Sequence, residues 1–151
     1  MGTNKGLAFA EIIGKFLGKN FKIGGTSEGG YDCLGLTGRI CQLRGLDFPE
    51  KFKEWDINSY AKLYQDDPDG AIDIAFDFFN SFAEKVDINR IVAGDILIME
   101  QPKDKIRFLA LYTGNMQAIT SFIRTGVSVF PINEANICTH AWRPKCQLQQ
   151  D

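Results

Sequence analysis

The chain has 151 residues, of which 44% are hydrophobic and 24% are charged, and its formal net charge is −2. This length and balance are typical of one soluble globular domain with its own core. Because the chain is slightly acidic and has no block of basic residues, we expect no electrostatic binding to nucleic acid or to an anionic membrane. Twelve phenylalanines predict an aromatic-rich core, with some aromatic area left for a partner.

The N-terminal segment is not expected to direct secretion or membrane insertion. Its apolar run is interrupted by three charged residues, and no apolar run is long enough to span a bilayer. We therefore expect synthesis in a cytoplasm, where disulfides are rare. Cys138, His140 and Cys146 lack the CxxC spacing of a zinc site, so no metal and no other cofactor is predicted.

The first half of the chain predicts helices. Residues 7–17 carry apolar side chains at helical spacing and predict an amphipathic helix. After a glycine-rich loop, a second helix is predicted from Cys33 to about Leu43, with Asp32 at its N-cap position and Gly45 at its end.

The middle of the chain is polar and then aromatic. A short helix is expected within 57–64, and "DDPDG" at 66–70 predicts a turn. Residues 71–86 alternate apolar residues with aspartate like a strand, yet their apolar residues fit a helical stripe better. We predict a helix there, with its phenylalanines in the core.

From Ile91 onward the sequence predicts β-structure. Gly114-Asn115 suits a tight hairpin. Helices followed by an antiparallel meander predict an α+β fold, with a single domain over 1–144 and a C-terminal tail over 145–151. The five predicted strands are 94–99, 106–114, 116–123, 126–132 and 137–144.

The stretch "GGTSEGGYDCLGLTGRI" (24–40) presents a cysteine at the start of a helix. Unpaired amides and the helix dipole favour a thiolate there, and the Cys33 amide is placed to help hold an oxyanion. Spacing alone leaves the role of Cys33 open, because a lone cysteine at a helix start is more often structural.

The segments "GGTSEGGYDCLGL", "AGDILIM" and "FLALYTGN" followed by "AITSF" form a recognisable set. Together they resemble the NlpC-type cysteine peptidases, which are papain-like enzymes that cut the peptide stems of bacterial cell wall. The resemblance extends from about Leu7 to Pro144 and implies a cysteine-bearing helix packed on a small antiparallel sheet. "DCLGL", the spacer over 45–90 and "AWRP" (141–144) are similar to the branch associated with phage tails and gene-transfer particles.

The resemblance also implies that the catalytic histidines are replaced. In the family, the base histidine begins the strand that here reads "FLALYTG", so Phe108 takes its position. Thr120 takes the position of the third catalytic residue, which is polar and often histidine. Cys33 is retained, and Asp32 and Tyr31 are expected at the groove or oxyanion position. Without an imidazole, nothing removes the thiol proton or protonates the leaving amine.

His140 is the only histidine of the chain and therefore the alternative base. It lies in "THAWRP", a segment that does not supply the base in the family, so a surface or partner-contacting role is the other interpretation. Asp95 in "GDILIM" is better explained as a turn residue than as a catalytic group. Tyr31 and Tyr112 either line the groove or serve in packing.

Three functions follow from these observations. The leading hypothesis is a degenerate, inactive NlpC-type domain that is a structural or assembly component of a phage-like tail tip or baseplate. Such a protein would be made in the host cytoplasm, enter the virion and contact other tail proteins. The alternative is an active peptidoglycan stem-peptide endopeptidase that uses Cys33 with a non-standard base. The third is a module that binds cell-wall peptide without cutting it.

Overall fold

The computed structural model describes residues 9–22, 26–27, 30–31, 33–46, 66–122 and 124–145. Within these residues, three α-helices pack on an antiparallel sheet of six strands, which confirms the predicted α+β fold. The helices are α1 (Phe9–Phe16), α2 (Cys33–Leu43) and α3 (Pro68–Asn80). Among the described helices, none has the length and apolar character needed to cross a membrane.

A two-stranded pair, β1 (Thr26–Ser27) and β2 (Gly30–Tyr31), leads into α2. The main sheet has the order β3-β8-β4-β5-β6-β7. Its strands are β3 (Glu84–Val86), β4 (Ile96–Gln101), β5 (Ile106–Gly114), β6 (Gln117–Phe122), β7 (Gly126–Pro131) and β8 (Ile137–Arg143).

The predicted meander is correct for four strands and wrong for the last one. Strands β4 to β7 pair in sequence order, whereas β8 crosses back and lies between β3 and β4. The pairing of β8 with β4 joins residues about 40 positions apart in the sequence, for example Ile98 with His140. Local sequence carries no signal for such a long-range choice of neighbour.

Helix α2 has the predicted bounds, and its C-terminal end has a clear physical cause. Gly45 adopts a left-handed φ of 75°, as expected for the residue that ends a helix. The Leu46 N–H donates to the Cys41 carbonyl at 2.9 Å, and the Gly45 N–H donates to the Gln42 carbonyl at 3.1 Å. The predicted N-cap, Asp32, lies outside the described residues, as does the helix predicted within 57–64.

A helix is present where one was predicted over 71–86, but both of its predicted ends are wrong. Helix α3 begins at Pro68, inside the predicted "DDPDG" turn, because the Asp67 carboxylate caps it by accepting the Gly70 N–H at 3.2 Å. Proline is well suited to this first position, since its missing N–H would have no partner there. The helix ends at Asn80, and Glu84–Val86 instead forms β3 against β8.

The predicted tight hairpin is confirmed between β5 and β6. Gly114 pairs with Gln117, and the two residues between them have positive φ values, 54° at Asn115 and 58° at Met116. Two positive φ values are typical of the turns that suit the twist of a two-residue hairpin. The Met116 N–H donates to the Tyr112 hydroxyl at 3.1 Å, which ties the turn to β5.

The sheet buries both of its faces, and the two faces have separate apolar clusters. Successive strand residues point to opposite faces. The helix-side cluster contains Cys33 and the apolar residues of the three helices, together with Ile96, Ile98, Leu109, Leu111, Ile119 and Trp142. The opposite-face cluster contains Leu97, Met99, Phe108, Ala110, Tyr112, Ala118, Phe130 and Ala141.

Candidate functional site

Cys33 lies at the first position of α2, where the chain turns from β2 into the helix. Its side chain is a thiol, not part of a disulfide, and it is only 8% exposed within the helix-side cluster. Thr37, one turn later, donates its hydroxyl to the Cys33 carbonyl at 2.8 Å. The first turn of α2 is therefore closed by a side-chain hydrogen bond, with the cysteine at its N-terminal end.

Tyr31 holds the entry to α2 in place. Its carbonyl accepts hydrogen bonds from the Ser121 hydroxyl at 2.7 Å and from the Lys22 N–H at 3.1 Å. Its ring meets the Phe16 ring edge-on, with centroids 5.2 Å apart. Because Ser121 belongs to β6, these contacts place the N-terminal end of α2 above the β5–β6 part of the sheet.

The structure does not bring Phe108 and Cys33 into one cluster. Phe108 is buried in the opposite-face cluster, where its ring lies 5.7 Å from that of Phe122 and 5.6 Å from that of Phe130. Phe122 and Phe130 are also in edge-on contact at 5.5 Å, so the three rings form a closed aromatic group. Phe108 therefore has a packing role in the cluster on the opposite face of the sheet from the cluster that contains Cys33.

Thr120 also has a structural role. It is 1% exposed, and its hydroxyl donates to the carbonyl of Leu109 on the neighbouring strand β5 at 2.6 Å. This hydrogen bond thus joins two neighbouring strands of the sheet. Asp32, the other residue expected at the groove, lies outside the described residues.

His140 lies on β8, packed edge-on against Phe76 at 4.8 Å and stacked on Trp142 at 6.3 Å. Its Nδ1 is 3.0 Å from the Thr139 hydroxyl, and none of its described hydrogen bonds involves Cys33. Burial, followed by the charges of Lys85 and Arg107, lowers the pKa of this imidazole.

The sheet register separates His140 from the part of the sheet below the start of α2. His140 lies on β8 and pairs with Ile98 on β4, whereas Ser121 lies on β6, and the strand order is β8-β4-β5-β6. Three strand spacings correspond to about 14 Å between β8 and β6. The structure therefore gives no support to His140 as a relocated base.

Asp95 is confirmed as a turn residue, and it has a partner that sequence reasoning missed. Its carboxylate accepts the Val92 N–H at 2.9 Å, which closes the turn before β4. It also binds Arg143 through two contacts, 2.9 Å to Nε and 3.0 Å to Nη2. The bond to Asp95 raises the pKa of the Arg143 guanidinium. Arg143 in "AWRP" is the sequence feature that could have indicated a charged partner for Asp95.

Among the described residues, the other candidate side chains, Tyr112, Cys41 and Cys138, have structural roles. Tyr112 packs in the opposite-face cluster and accepts a hydrogen bond from the hairpin turn. Burial raises the pKa of Cys41 to about 12 and that of Cys138 to about 11. In the part of the chain that is described, no three His, Cys, Asp or Glu side chains converge as metal ligands would. Cys146 lies outside it.

Comparison with known proteins relates this architecture to other chains. The model of the NlpC/P60 family matches residues 18–145. Among curated proteins, no match was found. Similar solved structures include an NlpC/P60 family protein from Bacillus cereus, at 22% identity and a TM-score of 0.56, and NlpC1 from Trichomonas vaginalis, at 16% and 0.59. The NlpC/P60 domain of the peptidoglycan hydrolase SagA is 19% identical, with a TM-score of 0.54.

These alignments cover 91% of the chain for the Bacillus protein and 89% for the other two. The chain spans only 40% of the Bacillus protein and 42% of the Trichomonas protein, but it corresponds to 95% of the SagA domain. At such identities the structural similarity shows the fold alone. The family model, however, matches most of the sequence, and the chain therefore belongs to the NlpC/P60 family.

Proposed function

We propose that this NlpC/P60 domain is catalytically inactive and is a structural or assembly component of a phage or phage-like tail, at the tail tip or baseplate. The observation that carries the inactivity is the position of the only histidine. His140 packs against Phe76 and Trp142, and it forms no hydrogen bond with Cys33 among the described contacts.

Amide hydrolysis by a cysteine needs two proton transfers, which an imidazole normally performs. The base removes the thiol proton, and the resulting acid then protonates the leaving amine. The members of such a unit act together, so the loss of one removes most of the catalysis. The residues that the family resemblance places at the base and third positions, Phe108 and Thr120, are engaged in packing and in a backbone hydrogen bond.

The proposed tail role is supported by three sequence features and by the structural role of one of them, "AWRP". "DCLGL", the long spacer after α2 and "AWRP" are similar to the tail-associated branch of the family. Within "AWRP", Trp142 is fully buried and Arg143 holds the Asp95 turn. This segment therefore contributes to a stable scaffold, which a structural subunit requires. Other tail-tip or baseplate proteins are the proposed partners.

A second candidate is an active endopeptidase that acts on peptidoglycan stem peptides. It is favoured by the position of Cys33 at the N-terminal end of a helix, where a thiolate is stabilised. One of the similar structures is the domain of a peptidoglycan hydrolase. This function would need a base from another subunit. A domain that keeps the peptide groove without the base would bind cell-wall peptide and release it unchanged.

The experiment that tests inactivity is a digestion of purified peptidoglycan and muropeptides, with the products identified by mass spectrometry. The SagA domain serves as the active reference, and Cys33→Ala is the matched variant. We expect neither this protein nor its Cys33→Ala variant to release stem-peptide fragments. Release by the unmodified protein and not by Cys33→Ala would sink the proposal of inactivity and establish the endopeptidase.

The tail role is tested separately, by proteomic analysis and antibody labelling of particles purified from the organism that encodes the protein. We expect the protein in intact particles, with label at one end of the tail. Its absence from purified particles would remove the structural role, whatever the outcome of the digestion. Co-sedimentation with insoluble peptidoglycan distinguishes the third possibility, since only a peptide-binding module should remain with the pellet.

A further inference from the structure

A polar pocket lies outside the helix-side cluster, where β4, β5 and β8 meet at one end of the sheet. Its volume is about 370 Å³, and it is lined by Glu100, Lys105, Arg107, Thr139 and His140. None of these residues belongs to either apolar cluster. The volume lies at the lower end of the range for small-molecule sites, so a ligand of a few heavy atoms fits it.

The pocket is more positive than the protein as a whole. It has two cations, Lys105 and Arg107, and one carboxylate, Glu100, on a chain whose net charge is −2. Glu100 lies directly opposite Arg107 in the register of β4 and β5, where it is placed to orient the guanidinium. A third cation, Lys85, lies over the Phe76 ring beside the pocket histidine. The field in the pocket therefore favours an anion.

The imidazole of His140 is oriented so that one nitrogen acts as a hydrogen-bond acceptor. The Thr139 hydroxyl donates to the Ile98 carbonyl at 3.2 Å, so it accepts from the Nδ1–H of His140 at 3.0 Å. This network assigns the proton to Nδ1 and leaves the lone pair on Nε2. Burial, followed by the charges of Lys85 and Arg107, lowers the pKa of His140, which favours the neutral ring.

The turn between β4 and β5 presents Lys105 in an unusual backbone conformation. Its φ is 54°, in the left-handed region that residues with side chains rarely adopt. Such conformations are concentrated at functional sites, where the surrounding structure maintains them. The strained turn positions an exposed lysine at the rim of the pocket next to Arg107.

We propose that this pocket binds the carboxylate of a short peptide or an N-acylated amino acid. Arg107 and Lys105 pair with the carboxylate, and Nε2 of His140 accepts a hydrogen bond from an amide N–H of the same ligand. The planar guanidinium matches a carboxylate with two parallel hydrogen bonds. Glu100 repels a doubly charged phosphate more than a single carboxylate, and phosphate lacks the N–H that a neutral imidazole accepts. The proposal goes beyond the tail role and does not involve Cys33.

The test uses NMR of the full chain, because the only histidine is in the pocket and its ring C–H signals therefore have one possible source. The probes are N-acetylalanine, its C-terminal amide, and inorganic phosphate. We expect saturable movement of the His140 signal with N-acetylalanine, at a dissociation constant of roughly 1 mM, and none with the amide. Raising the salt concentration should weaken the binding of N-acetylalanine.

Variants then test which charged side chains bind the carboxylate of the ligand. Arg107→Gln should weaken N-acetylalanine binding at least about tenfold, in line with the loss of a charged hydrogen bond. Arg124→Gln is the matched control, since this exposed arginine lies in the β6–β7 turn and should leave binding unchanged. If the amide spectrum shows that Arg107→Gln is unfolded, Lys105→Gln in the exposed turn provides the same comparison.

Three results would overturn the proposal. One is an equal response to N-acetylalanine and to its amide, because the carboxylate would then contribute nothing. Another is unchanged binding in a folded Arg107→Gln or Lys105→Gln variant. The third is saturation by phosphate at a lower concentration than by N-acetylalanine, which would make the pocket a general anion site. None of these readouts depends on hydrolysis or on particle assembly.

Discussion

The thiols of this protein are expected to differ strongly in reactivity, and the difference tests the state of Cys33. Burial raises the pKa of Cys41 from 9.0 to about 12. For Cys138, burial is again the largest cause, and the pKa rises from 9.0 to about 11. Cys33 is 8% exposed within the helix-side cluster, so a reagent has little access to it. Native structure should therefore slow the labelling of these three cysteines, which are the ones the structure describes.

The size of the effect follows from the thiolate fraction. At neutral pH, a rise of three pKa units lowers the thiolate fraction about a thousandfold, while the greater nucleophilicity of a more basic thiolate restores part of the rate. With a Brønsted coefficient of about 0.45, the net slowing is about fiftyfold for Cys41 and about tenfold for Cys138. Both rates should rise about tenfold per pH unit up to the pKa of each thiol.

The assay is a timed reaction with methyl methanethiosulfonate at neutral pH, read for each peptide by mass spectrometry. The same reaction in urea gives the rate of the unfolded chain, and Cys33→Ala identifies the signal of that site. We expect Cys41 to react most slowly relative to its unfolded rate, and Cys33 to react more slowly in the native protein than in urea. Faster reaction of Cys33 in the native protein would refute the inactive site and indicate an activated nucleophile.

Two further predictions concern stability, measured by urea unfolding. Asp95→Asn should lower the free energy of unfolding by about 1–3 kcal/mol, because the amide loses the charged contacts with Arg143, whereas Asp104→Asn in an exposed turn should change it by less than about 0.5 kcal/mol. Equal effects would show that the pair of the buried Asp95 with the partly exposed Arg143 is not stabilising. Gly126→Ala should cost about 2 kcal/mol or more, since φ is +74° and a Cβ would collide with a backbone carbonyl. The matched Gly14→Ala, with open space on α1, should be neutral or stabilising by up to about 1 kcal/mol, and a loss there would contradict the argument.

Sequence reasoning worked where the signal was local. The bounds of α2 follow from a helical pattern that begins at Cys33 and from the left-handed glycine at 45. The hairpin at Gly114-Asn115 follows from turn chemistry that depends on a few adjacent residues. The role of Asp95 as a turn residue could also be predicted, because its carboxylate accepts a hydrogen bond from Val92, only three positions earlier.

Sequence reasoning failed where the structure depends on pairing between residues that are far apart in the chain. Residues 71–86 have one continuous apolar pattern. The last three of them, Glu84–Val86, nevertheless form β3, because they pair with β8, which follows more than fifty positions later. The insertion of β8 between β3 and β4 had no counterpart in the local pattern. The same holds for the pairing of Arg143 with Asp95, which are 48 positions apart.

By itself, the sequence determined the family, the cysteine at a helix start and the presence of a single imidazole, because these depend on residue identity and short-range order. Only the tertiary structure decided where that imidazole lies and what surrounds it. Strand register placed His140 in a basic pocket with Arg107, and placed Phe108 in the aromatic group on the opposite face. Register is set by pairings between distant strands and by burial of one face, so the chemistry of these side chains was fixed only when the sheet formed.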